Sequence, residues 1–382
     1  MDFAHHLERL SQTGLLRRLH PMDGPQGPVI RYRGREVVNL ASNNYLGLAD
    51  HPKVVAAAKQ ALDTEGLGAG AARLISGNHR IFGVLEERIA AFKGCEAALL
   101  FGSGYAANLG LLQALAPEGA IFCDRLNHAS LIDGARLAGA SLKVYPHRDV
   151  DALARRLERT DGPVVIATDG VFSMDGDLAP LPDLAVLAKH HKALLMVDDA
   201  HGTGVLGEGK GSVHHFGLSA TEVPVQMGTL GKGLGTYGAY VAGSRELIDY
   251  LVNRARSFIY TTAMPPALAA ATLAALDVVE SDEGRERMAS LAMNRRYFCD
   301  GLGALGYEPP ADPTPIVPVI VGDAAAAVTL AETLFERGVF APAVRPPTVP
   351  EGTSRLRCTV MATHTRAHLD RALDGLGACH GG

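Results

Sequence analysis

The sequence predicts an α/β protein, with a mostly parallel, doubly wound sheet in a large domain and a smaller α+β domain towards the C-terminal end. Three observations carry this. Between about residues 50 and 275, short apolar runs alternate with stretches whose apolar residues recur at helical spacing, the pattern of strands joined by crossover helices. The runs are nearly continuous in apolar residues rather than alternating, as strands are when both faces of a sheet are covered. Over the last hundred or so residues the alternation gives way to longer helical patterns and only two strand-like runs. The expected division is an N-terminal helix and strand segment (1–48), a large domain (49–280) and a small C-terminal domain (281–382).

Element by element, residues 5–19 have helical spacing. Residues 29–40 read as strand with a turn at Arg33-Gly34-Arg35. HPKVVAAAKQALDTEG is a helix with Pro near its start and Gly at its end, the usual asymmetry of helix termini. HRIFGVLEERIAAFKG is another, with Leu85, Ile89 and Phe92 on one face. Strand-like runs follow at 97–101, 119–123, 142–145, 164–168, 194–197, 225–229 and 238–242. A long helical stretch (266–305) then leads to a strand (316–321), a helix (324–337) and a further strand (354–360).

Composition narrows the function classes. The chain has 382 residues, 47% of them apolar and 20% charged, with a formal net charge of −5. That balance suits a globular protein with a sizeable core and offers no basic excess for a nucleic acid backbone. No apolar stretch reaches the length of a membrane span, and MDFAHHLERL lacks the basic and apolar blocks of a secretion signal. The five cysteines form no C-x-x-C pair and read as reduced thiols, so a cytoplasmic location is expected.

Ligands of open α/β sheets bind at the carboxyl ends of the strands, so the residues after each apolar run matter most. After ALLF comes Gly102-Ser103-Gly104-Tyr105-Ala106-Ala107-Asn108, opening a helix; it is either a plain tight turn or a phosphate cradle of free N–H groups. After VVIAT comes the polar loop Asp169 to Gly176, with two carboxylates and a hydroxyl, a turn or a site. After LLMV comes Asp198-Asp199-Ala200-His201. Two carboxylates at the end of a buried strand need a cationic partner, which a protonated heterocycle would supply. After VQMG comes Thr229-Leu230-Gly231-Lys232-Gly233, where Lys232 is either a surface lysine on a turn or an amine activated by a lowered pKa.

Competing motifs fail. Gln226 stands where a P-loop needs its first Gly, and Gly233 where it needs Ser or Thr. Gly66-Leu67-Gly68-Ala69-Gly70 follows a helix rather than a strand. Neither Ser103 nor Ser173 sits in a nucleophile elbow. The histidine pairs 190/191 and 214/215 are adjacent in sequence and do not face one metal ion, so no metal site is expected. Together the four strand ends provide an amine, an acid, a histidine and an anion site, the set that pyridoxal 5'-phosphate (PLP) requires.

The runs SNNYLGL, LFGSGYAAN, DRLNHASL, DGVFSMDGD, VDDAHGTG, TLGKGLG and VRPPTVPEGTSRLR resemble, in order and nearly end to end, the α-oxoamine synthases, PLP-dependent transferases of fold type I. The resemblance implies catalytic roles for Lys232 as Schiff-base lysine, Asp198 as partner of the pyridine nitrogen, His201 at the ring's phenolic oxygen and His128 over the ring face. It implies cofactor contacts from Gly104, Tyr105, Ser173 and Thr229, and a substrate carboxylate held by Arg357. Asn43, Arg17 and Thr348 resemble substrate-site residues. The segment containing Thr261 and Thr262 resembles one that reaches a neighbouring subunit's cofactor phosphate, implying a homodimer with shared sites. The RPPTVP run (345–350) resembles the branch that condenses L-alanine with a pimeloyl thioester, carried by coenzyme A or acyl carrier protein, in biotin biosynthesis. The alternative is the branch joining glycine to acetyl-CoA. Asn44, Tyr105, Asp169 and Gly233 depart from the family's commoner Asp, Phe, Glu and Ala.

Overall fold

The computed structural model describes residues 2–12, 16–17, 19–116 and 119–380. Near the N-terminus, β1 (Met22–Asp23), β2 (Val29–Tyr32) and β3 (Arg35–Asn39) form an antiparallel ladder. The expected turn is a two-residue hairpin in which Arg33 and Gly34 both have positive φ, 53° and 76°, the tight geometry that matches strand twist. The helix expected over 5–19 is described over Phe3–Gln12; residues 13–15 and 18 of that expected stretch lie outside the described residues, and Arg17 is exposed and not helical.

The central sheet contains β4 (Ala97–Phe101), β5 (Ala120–Asp124), β6 (Ser141–Tyr145), β7 (Val164–Asp169), β8 (Leu194–Asp198), β9 (Val225–Thr229) and β10 (Ala239–Gly243). Their order is β4-β10-β9-β8-β7-β5-β6. The pairs among β5 to β9 are parallel, as expected. The exception is β10, antiparallel to both β9 and β4. Residues 230–238 are too few for the crossover that a parallel return needs. All residues of β4, β5 and β10 are buried, because both faces carry packed side chains. Leu100 and Tyr240 face one apolar cluster and Leu99, Phe101 and Val241 the opposite one.

The helical stretch expected over 266–305 is two helices, Pro266–Val279 and Asp282–Ala304. The break falls at Ser281, whose hydroxyl caps the second helix by accepting from Gly284 N–H, a favoured N-cap arrangement. Beyond it lie β11 (Ile316–Gly322), β12 (Val339–Phe340), β13 (Ala343–Val344) and β14 (Ser354–Thr359). The order β11-β14-β13 forms an antiparallel sheet. β12 instead pairs in parallel with β3, Val339 opposite Val38, so strands from both ends of the chain share one sheet. Phe298, Val317 and Leu356 pack in the same apolar cluster as Leu100 and Tyr240.

Candidate active site

The carboxyl ends of β7, β8 and β9 lie side by side, with Asp169 opposite Asp198 and Asp198 opposite Met227 in register. Two successive residues after β8's apolar run go separate ways. Asp199 is wholly buried and receives the buried Lys93 ammonium at 3.1 Å and Ser212 N–H at 3.0 Å. Its charge is therefore matched within the protein. Asp198 is 3% exposed and accepts from Asn108 Nδ2 at 2.7 Å and Ala200 N–H at 3.0 Å. Among the described residues no cation is hydrogen-bonded to it. Burial raises its pKa against the pull of Lys232, Asn108 and His128. The cationic partner that both carboxylates require is thus present for one and missing for the other.

Lys232 lies on the glycine-rich connection between β9 and β10. Burial draws its pKa down to about 8, opposed by the charges of Asp198 and Asp169. Its Nζ is 2.8 Å from His201 Nε2, and His201 Nδ1 is 2.6 Å from the Tyr45 hydroxyl. The directions of this chain are fixed from its far end. Asn43 Oδ1 can only accept, and it receives both Tyr45 O–H at 3.1 Å and the Arg357 guanidinium at 3.2 and 3.3 Å. Tyr45, whose pKa burial pushes up to about 12, keeps its proton and spends it on Asn43. Its oxygen therefore accepts from His201 Nδ1–H, leaving His201 Nε2 to accept from Lys232. His201 stays neutral, since burial and then Lys232 hold its pKa well below the usual range.

The other side of the site rests on Asp169. Its carboxylate accepts His128 N–H at 2.7 Å, and its pKa is raised well above normal by burial and by Asp198. His128 Nδ1 is 2.8 Å from Ser130 Oγ, which in turn accepts from Asn108 at 2.8 Å. His128 and Asp198 are thus joined through two neutral side chains. Arg357 Nε donates to Ser173 O at 2.5 Å. Thr229 Oγ1 donates to Ala200 O at 3.2 Å. His128, Ser173 and Thr348 line one cleft of about 650 Å³ with Arg125, Met174 and Val349.

The residues fit PLP on three counts. A buried carboxylate without a cation suits a pyridinium N–H. An amine with a lowered pKa suits an aldehyde. At the start of the helix Gly104–Leu115, the Ser103 hydroxyl takes Ala106 N–H, while a Cβ on Gly104 would come within 2.7 Å of Thr229 Cγ2. Glycine at 104 avoids that crowding against Thr229 and leaves the free N–H groups of the helix start available to a phosphate.

Not every expected residue gathers here. Arg17 is exposed and, among the described residues, makes no hydrogen bond to this network. Thr261 and Thr262 are exposed and line a small cleft with Gly102 beside the glycine turn. Tyr105 is partly exposed and its hydroxyl donates to Asp133 at 2.7 Å. Conversely, Tyr45, Asn108 and Lys93 carry the hydrogen bonding without having been singled out. Tyr45 and Asn108 lie within the SNNYLGL and LFGSGYAAN runs, which were a signal for them. Lys93 closes a helix 106 residues from Asp199, and nothing local marks it.

Fold and site define the class: the chain belongs to the aminotransferase class I and II family, whose model matches residues 35–376. Within it the similarity is to α-oxoamine synthases. The chain is 53% identical over 376 residues to the 8-amino-7-oxononanoate synthase of Geobacter sulfurreducens, covering 97% of this chain and 96% of that one. It resembles a serine palmitoyltransferase from S. paucimobilis solved with PLP and myriocin bound, at TM-score 0.93 and 29% identity, covering 99% and 96% of the two chains. It also resembles the crystal structure of 8-amino-7-oxononanoate synthase from Francisella tularensis, at TM-score 0.78 and 29% identity over 90% and 97%.

Proposed function

We propose that this chain catalyses the 8-amino-7-oxononanoate synthase reaction of biotin biosynthesis, using PLP to join L-alanine to a pimeloyl thioester. The PLP chemistry is supported above all by Asp198, a buried carboxylate placed to receive a ring N–H. The substrate pair is supported by relatives of that name at half identity or more over nearly the whole chain. When bound, PLP supplies an aldehyde for amine attachment and a conjugated ring that spreads negative charge from the neighbouring carbon.

The chain's own residues supply the rest. Lys232, with a pKa of about 8, has a sizeable neutral fraction near neutral pH, so its Nζ can attach the aldehyde and, once displaced by alanine, accept the α-proton. His201 accepts a hydrogen bond from that amine and orients it. Arg357, held by Asn43 and Ser173 O, presents a guanidinium edge to the alanine carboxylate. His128 faces the cleft and polarises the thioester carbonyl. A C–C bond forms between alanine's α-carbon and that carbonyl, the thiol departs, the carboxyl leaves as CO2, and a proton returns to the α-carbon. Gly104 and Tyr105 at the helix start, with Ser173 and Thr229, surround the cofactor.

The same reading includes a cytoplasmic homodimer in which Thr261 and Thr262 reach the partner's cofactor phosphate, with coenzyme A or acyl carrier protein delivering the acyl group. No helix among the described residues is long and apolar enough to cross a membrane. The decisive experiment offers L-alanine or glycine against pimeloyl-CoA or acetyl-CoA. Preference for alanine with pimeloyl-CoA supports the reading, and preference for glycine with acetyl-CoA rejects it. Light scattering should give about twice the 40.2 kDa chain mass.

A further inference from the structure

The cleft of about 650 Å³ beside His128 has a composition that the chemistry at Lys232 does not use. Its lining includes the apolar residues Leu126, Met174, Pro347 and Val349. Two arginines line it. Arg355 is already committed: its side chain is 4% exposed and bonds Asp175 at 2.5 Å, Met174 O at 3.2 Å and Thr353 O at 2.9 Å. Arg125 is different. It is exposed, and among the described residues its guanidinium has no hydrogen bond or ion pair. Its backbone is nonetheless fixed, since Arg125 N–H donates to Tyr145 O at 3.0 Å and the preceding Asp124 carboxylate accepts Leu126 and Arg148 N–H at 2.8 and 2.7 Å. A fixed backbone position thus sets an uncommitted cation in the lining of a cleft that also has apolar residues, three residues before His128.

We propose that Arg125 is a specificity-determining residue that binds the distal carboxylate of the acyl donor, with the methylenes of the acyl chain lying against the apolar lining residues. The inference rests on the acyl group being a dicarboxylic one, as in the proposed function. It follows from charge and shape: the acyl carbon must reach His128, the chain beyond it is apolar, and its far end is an anion. A guanidinium with all its donors free is the side chain suited to a carboxylate. The energetic role is discrimination. An acyl chain ending in a methyl group leaves Arg125 solvated and gains nothing from it, whereas a terminal carboxylate gains a charge-assisted pair.

The test uses PLP-loaded full-length protein with L-alanine and compares pimeloyl-CoA with heptanoyl-CoA, the same chain length without the terminal carboxylate. In Arg125→Gln, KM for pimeloyl-CoA should rise about tenfold to a hundredfold, the range expected when a hydrogen bond to a charged group is lost. KM for L-alanine and for heptanoyl-CoA should stay as in wild type, and Arg125→Lys should recover part of the loss. An equal rise for both thioesters would place Arg125 on the coenzyme A carrier and overturn the proposal, as would unchanged discrimination in the variant. Wild-type protein that turns over neither thioester would instead remove the parent reading, and the distal-carboxylate site with it.

Discussion

The tautomer of His201 follows from an amide two links away. Because Asn43 Oδ1 can only accept, Tyr45 must give it a proton and His201 must give one to Tyr45, which leaves Nε2 as the acceptor for Lys232. Removing the phenol oxygen tests that order. Tyr45→Phe leaves His201 Nδ1–H without its partner and frees the ring to reverse, so turnover should fall about tenfold or more, the cost of losing a positioned hydrogen bond in a buried network, while the folded state's circular dichroism stays unchanged. Lys232 makes a second prediction. Only its neutral form attaches an aldehyde, so the rate at which cofactor-free protein takes up PLP should climb with pH and level off above about 8. Lys232→Ala should form no yellow, borohydride-sensitive chromophore at any pH. His201 and Lys232 were legible because they follow apolar runs in sequence; Tyr45 follows none and was not singled out. Arg17 shows the opposite case: an arginine near a loosely patterned N-terminal helix has no sequence feature that tells a site residue from an exposed one.

At the scale of elements, the connection between β9 and β10 is held by two glycines packed face to face. A Cβ on Gly233 would lie 2.4 Å from Thr203 O, and one on Gly204 would lie 3.0 Å from the Gly233 carbonyl carbon. Gly233→Ala, although alanine is common there among α-oxoamine synthases, should therefore destabilise this chain by about 1–3 kcal/mol, the usual range for overpacking. Thermal unfolding would measure it. Two further loops are joined by His147, 2.9 Å from Asp124 and 2.7 Å from Asp177. These residues begin the loop carrying His128 and end the one carrying Ser173. Burial lowers the His147 pKa, but the two carboxylates outweigh it and raise it to about 9. A pKa raised by folding means stability that is complete below the ordinary value of about 6.5 and is lost as pH rises towards 9. The wild-type melting temperature should fall across that window, and His147→Gln should flatten the fall. The alternation of runs and helices predicted these strands closely. It missed the reversed direction of β10, because direction depends on connection length and pairing rather than on hydropathy. It also missed the break at Ser281, because a one-residue helix cap between two consecutive helices interrupts the helical spacing only slightly.

At the scale of the whole molecule, His364 ties the two ends of the chain together. Its Nε2 donates to Asn39 O at 3.1 Å and its Nδ1 accepts Met361 N–H at 3.0 Å, so the ring is neutral. Burial lowers its pKa to about 4 against the opposing hydrogen bond. Here the sign is the reverse of that for His147. The unfolded chain takes up a proton below about 6.5 that the folded chain refuses until about 4, so stability drops as pH falls through that interval, by on the order of 3 kcal/mol. His364→Asn should shorten this acid limb in a pH series of denaturant melts. The long-range pairing behind it had no sequence signature. β3 and β12 are each short and unremarkable, and their partnership is settled by the apolar cluster of Ile30, Val37 and Phe335 rather than by any local pattern.

That partnership has a cost in time. Translation proceeds at roughly 5–20 residues per second, and β3 finds its neighbour only after Val339 has left the ribosome. The nascent chain must therefore carry an open, hydrogen-bond-hungry strand edge for on the order of tens of seconds, the kind of surface that invites mispairing with other chains.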